Sequence, residues 1–176
     1  MLGCARVHHI LTGRVMKTLI LHLGTPKTGS STIQASFGSA SEALRKQNII
    51  YPAWKPYNHC LNFSVLFQDD PKRSNLYRTL SPISDEAWSK EQRRLKEQWV
   101  ELFDSFSSGT CVISAENLWR FNVGEVERVV AFVRPWFEEI RAVAYVRKPL
   151  ALIPSMLEQE IKDLNRAVSM LQLLEG

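Results

Sequence analysis

Short apolar runs of strand length alternate along this chain with longer stretches whose apolar positions recur every three or four residues. The first run, Thr18 to Leu23, is rich in Leu and Ile and stops at Gly24, as a parallel strand buried on both faces would read. Ile33, Phe37, Ala40 and Leu44 then fall at helical spacing and predict a first helix from about Ser30 to Gln47. Asn48 to Pro52 (NIIYP) predicts a short strand halted by proline. A short amphipathic helix is expected over Asn58 to Phe67, and a surface loop over Gln68 to Pro82, which carries two prolines.

Ser84 reads as the N-cap of a long helix reaching about Phe106, with Trp88, Leu95, Trp99, Leu102, Phe103 and Phe106 as its core stripe. Thr110 to Ser114 predicts a third strand that runs into the polar turn Ala115 to Asn117. A helix over Val123 to Phe137 and a fourth strand over Ile140 to Val146 follow. Ile153, Leu157, Ile161, Leu164, Val168 and Leu171 then share one face of a final helix. This alternation predicts an α/β fold, a mostly parallel sheet flanked by helices. Ligands of such sheets sit beyond the carboxyl ends of the strands. The polar segments Thr25 to Thr32, Ala115 to Asn117 and Arg147 to Lys148 all fall at such ends.

The 176 residues suit one domain with a real core, expected over residues 16–176. Residues 1–15 lack the continuous apolar core of a secretory signal. They read as an upstream-start or disordered extension, with Met16 as the natural start, and His8 and His9 inside it are not expected to hold a metal. No apolar run approaches the roughly 20 residues that span a bilayer. The net charge of +4 is spread along the chain, with no basic block to suggest nucleic-acid binding, and it also suits a small polyanion. Cys4, Cys60 and Cys111 form neither a CxxC pair nor a His/Cys cluster, so reduced thiols and a cytoplasmic location are expected, without a zinc site.

The chemistry concentrates in GTPKTGSST, Gly24 to Thr32. Gly24 and Gly29 have the spacing of a phosphate loop, but Ser30 stands where an ATP-binding loop places its lysine. Backbone N–H groups of Lys27 to Ser31 at a helix N-terminus would face an anion, with hydroxyls of Thr28, Ser30, Ser31 and Thr32 as further donors and Lys27 as the charge. The third strand ends in VISAEN, without a clear aspartate for magnesium. The loop therefore suits an anionic donor that needs no metal.

GTPKTGSST resembles the 5′-phosphosulfate loop of sulfotransferases that use 3′-phosphoadenosine 5′-phosphosulfate (PAPS), where the lysine likewise precedes the Thr/Gly/Ser cluster. YVRKPLALIPS resembles that family's 3′-phosphate motif, a strand ending in Arg147 with Ser155 eight residues later. The continuation SMLEQEIK is similar to bacterial members, and the resemblance covers about Met16 to Lys162. It implies a P-loop NTPase-like sulfotransferase fold in which Thr25, Pro26, Lys27, Thr28, Gly29, Ser30, Ser31, Thr32, Arg147 and Ser155 bind PAPS. Lys27 would stabilise the leaving phosphate, and the sulfuryl group would pass to a hydroxyl or amine of a glycan, lipid or small-molecule acceptor, with no metal.

The general base that the family takes from His or Glu has two candidates, Glu116 first and His59 second. Domains of this family continue well beyond the 3′-phosphate helix, so the chain reads as incomplete at its C-terminus. Its final helix is then expected to keep an apolar face open to self-association. A P-loop kinase or NTPase and a non-catalytic nucleotide-binding remnant remain as alternatives.

Overall fold

The computed structural model describes residues 16–25, 27–71, 84–148, 150, 153–155, 157–158 and 161–162. Residues 1–15, Pro26, most of the expected loop up to Pro82, and Leu164, Val168 and Leu171 of the expected final face lie outside the described residues. Four strands, β1 (Lys17–His22), β2 (Ile49–Ile50), β3 (Gly109–Ser114) and β4 (Glu139–Val143), pair in parallel in the order β2-β3-β1-β4. β1 lies between β3 and β4, with Leu19 in register with Cys111 on one side and Ile140 on the other.

The helices that link the strands are α1 (Ser30–Ser39), α2 (Ser41–Lys46), α3 (Asp85–Asp104) and α4 (Val123–Val133). The chain passes over β3 to reach β2 and later over β1 to reach β4, so right-handed crossovers put α1 and α2 on the opposite face from α3 and α4. Side-chain alternation serves the two faces. Leu19, Leu21, Cys111 and Ile113 join α3 and α4 in the main core. Thr110, Val112 and Ser114 of β3, with Ile20 and His22 of β1, face α1.

The main core is aromatic. Trp99 and Phe103 of α3 are fully buried, and Trp99 meets Phe63 at 4.9 Å while Phe103 meets Phe137 at 5.1 Å. The indole Nε1 of Trp99 donates to the Asn62 carbonyl at 2.7 Å, which meets the polar need of a buried tryptophan. The expected stripe of α3 is thus its packing face.

Several elements depart from the sequence reading; α4 stops at Val133 and not at Phe137, and β2 pairs only Ile49 and Ile50 of the expected Asn48 to Pro52. The expected helix from Ser30 to Gln47 breaks at Ala40 into α1 and α2, and its buried positions are Ser30, Gln34 and Gly38. Asn58 to Phe67 is a set of turns with one 3-10 turn, Ser64–Leu66, and not an amphipathic helix. Both faces of this stretch meet protein, since Cys60, Phe63, Val65, Leu66 and Phe67 are all buried. β4 ends at Val143, and the rest of the expected strand, Ala144 to Val146, has no regular secondary structure and is exposed. Beyond it the described residues from 150 to 162 are helical, with Ile153, Leu157 and Ile161 exposed.

Candidate functional site

The three polar segments meet at the carboxyl edge of the sheet because β1 has β3 and β4 as its neighbours. Leu23 N–H donates to the Val143 carbonyl at 2.8 Å, and Ala115 N–H donates to the His22 carbonyl at 3.1 Å. Thr25 Oγ1 donates to the Tyr145 carbonyl at 2.6 Å, and Arg147 Nη1 donates to the Lys27 carbonyl at 3.2 Å.

The loop is built from left-handed backbone. Gly24, Lys27 and Gly29 have φ of 50°, 62° and 85°. A side chain on Gly24 would be strained by its φ, and its Cβ would lie 2.8 Å from Ser30 Oγ and 3.1 Å from Glu116 Cγ. Gly29 is the N-cap of α1, so no side chain folds back over the first turn, and that turn contains no acidic residue. The N-terminal amides of α1 therefore open toward the loop with the positive end of the helix behind them.

The hydroxyls divide their work. Thr28 Oγ1 donates to the Thr25 carbonyl at 2.7 Å, and Thr25 reaches β4, so these two shape the loop. Ser30 is buried, whereas Ser31 and Thr32 are exposed. Lys27 is half-buried, Arg147 is exposed, and Ser155 is half-buried in the helical stretch. Pro26 lies outside the described residues.

The two candidate bases separate sharply. Glu116 follows β3 directly and is half-buried against Gly24. Burial pushes its carboxyl above the usual range, and the Lys27 ammonium opposes that rise. His59 is fully buried under β3. Its Nε2 lies 2.9 Å from the Pro52 carbonyl, and its Nδ1 accepts from Ser114 N–H at 3.0 Å. Both nitrogens are engaged, and burial pushes the imidazole down to about 4. The place read as a second base is a structural pillar, with no nitrogen left for an acceptor proton.

Two features escape the sequence reading. Glu158 stands within electrostatic range of Lys27. Lys162 beside it is the main cause of its lowered pKa, and Lys27 adds a smaller pull. Its spacing of three residues from Ser155 is the helical signal that could have placed it near the site. Beneath the loop, His22, Gln34 and Ser114 form a buried polar cluster. His22 Nδ1 lies 2.7 Å from Ser114 Oγ, to which Gln34 Nε2 donates at 3.1 Å.

Among the described residues, no group of three or more His, Cys, Asp or Glu side chains is placed to hold a metal ion, and no helix is long and apolar enough to cross a membrane. No protein-family model, curated protein or solved structure matches the chain.

Proposed function

We propose that this chain is a PAPS-dependent sulfotransferase domain of the P-loop-like type, acting on a hydroxyl or amine acceptor. The observation that carries this reading is the meeting of Lys27, the uncapped N-terminus of α1, Arg147 and Glu116 at one sheet edge. Four sources of positive or acid–base chemistry on three separate segments fit a ligand with two separate anionic ends.

The amides of Gly29 to Ser31 would take the 5′-phosphosulfate at the positive end of α1. Arg147 would take the 3′-phosphate with the donors not occupied by the Lys27 carbonyl, and Ser155 would assist from the helix that follows. When bound, PAPS supplies a sulfuryl group whose S–O bond to the 5′-phosphate breaks as the acceptor oxygen or nitrogen bonds to sulfur. Lys27 would stabilise the negative charge growing on the bridging oxygen, and Glu116 would accept the acceptor's proton. Because burial raises the Glu116 carboxyl, transfer should fall as pH drops through a value above the ordinary carboxylate range of about 4. No metal enters this scheme. A cytoplasmic location and self-association through the exposed Ile153, Leu157 and Ile161 belong to the same proposal.

A kinase reading asks for a carboxylate at the end of β3. Ser114 stands there instead, held by Gln34 under α1. The test is binding without magnesium. 3′-Phosphoadenosine 5′-phosphate should bind more tightly than ADP or ATP, and Arg147→Ala should erase the preference. Equal binding of all three, or preference for magnesium ATP, would sink the proposal. Binding without transfer from radiolabelled PAPS to a panel of glycans, lipids and alcohols would favour a non-catalytic remnant.

A further inference from the structure

A cavity of about 380 Å³ lies between α1, α2 and the sheet, on the face away from the aromatic core. Ile20, Ile33, Phe37, Val112 and Val143 make its wall apolar, and His22 and Ser114 form a polar end. That size and lining match the lower range of small-molecule pockets, which are mostly apolar with a few placed polar groups.

The polar end is unfinished. His22 is only 5% exposed, and its Nε2 is buried with no hydrogen-bond partner among the described residues. Choice of tautomer does not remove the defect. If the Ser114 hydroxyl donates to Nδ1, Nε2 carries a proton with no acceptor; if Nδ1–H donates to Ser114, Nε2 is a lone pair with no donor. Buried polar atoms in folded proteins almost always have a partner, so an orphan on a cavity wall calls for one.

We propose that this cavity binds a small neutral molecule with an apolar body and one terminal hydroxyl, such as a phenol or an aliphatic alcohol, with the hydroxyl paired to His22 Nε2. A hydroxyl can donate or accept and so suits either tautomer. Burial lowers the His22 pKa and keeps the ring neutral, so this end offers no charge to an anion, unlike the loop above it. Tyr145 lines the same end, edge-on to His22 with ring centroids 5.6 Å apart, and is half exposed, so a swing of its ring admits the hydroxyl. The site is separate from the nucleotide edge and stands or falls independently of it.

The probe pair is 2-naphthol and 2-methylnaphthalene, which share a shape and differ in the hydroxyl, titrated into the full chain by NMR. The naphthol should bind about tenfold more tightly, the worth of one hydrogen bond to a buried group. Its ring protons should show contacts to methyl groups of Ile20, Val112 and Val143. His22→Phe should equalise the two affinities, and Val112→Trp should abolish both. Equal affinities in the unaltered chain, contacts to a different set of methyls, or no saturable binding would each overturn the proposal. The first two readouts need no variant, so a substitution that fails to fold does not remove the test.

Discussion

Gly24 carries two constraints at once, a left-handed φ of 50° and a Ser30 oxygen 2.8 Å from where a Cβ would stand. Gly24→Ala should therefore cost more than the roughly 1 kcal/mol of an ordinary glycine replacement. It should also push Glu116 and Ser30 apart, with loss of 3′-phosphoadenosine 5′-phosphate binding by calorimetry. Unchanged binding would show that the close approach is not needed. Lys27→Ala tests a different quantity. If the lysine acts on growing charge, transfer should fall about a hundredfold or more with a much smaller loss of nucleotide affinity. At this scale the loop residues were legible, because glycine spacing and hydroxyl density are local facts. The roles of His59 and Gln34 were not, because only the fold shows that Ser114 donates its N–H to the one and accepts at its hydroxyl from the other.

Helix starts with strong cap signals were read to the residue, while the ends were overrun, by four residues for α4. Ser84 caps α3 by accepting from Ala87 N–H at 3.1 Å, with Asp85 and Glu86 in the first turn. Asn122 and Glu125 form a reciprocal capping box on α4, and Asn122 also donates to Asp69, which Arg128 holds beside the Phe67 carbonyl. Asn122→Ala should destabilise the protein by about 1 kcal/mol, checked by urea unfolding. The loss should exceed that of Ser84→Ala, whose side chain makes only the cap bond to Ala87 N–H among the described residues. An equal or smaller loss would mean that the tie to Asp69 adds nothing. Elements governed by tertiary contact were read less well. The 58–67 stretch has apolar residues enough for a helix, but its burial on all sides removes the need for an amphipathic face. The break at Ala40 follows a Gly38–Ser39 pair, a signal that the helical spacing of Ile33, Phe37, Ala40 and Leu44 masked, and α2 buries none of its residues fully.

For the whole molecule, alternation alone implied an α/β sheet, yet it could not give the strand order. Putting β1 between β3 and β4 is what brings Lys27, Glu116 and Arg147 to one edge, and β2 contributes only two paired residues to hold the far side. The sheet interior beneath that edge contains two buried imidazoles, His22 and His59, both held below their ordinary pKa by burial. An unfolded chain binds protons to them more readily than the native state does, so stability is complete above the unfolded value of about 6.5 and falls as pH drops toward the folded values. For His59, with a folded value of about 4, the loss between pH 7 and pH 5 is about 2 kcal/mol, and His22 adds to it. Glu116 works the other way, since its raised pKa costs stability as pH rises through its window. The net effect near neutrality therefore turns on the histidines. His59→Gln should be less stable at pH 7, because Ser114 N–H and the Pro52 carbonyl lose well-placed partners. Its stability should nevertheless change less between pH 7 and pH 5 than that of the unaltered chain, leaving the slope due to His22. Urea unfolding at several pH values measures both, and parallel pH profiles for the two proteins would rule out a neutral, buried His59 as the source of acid sensitivity.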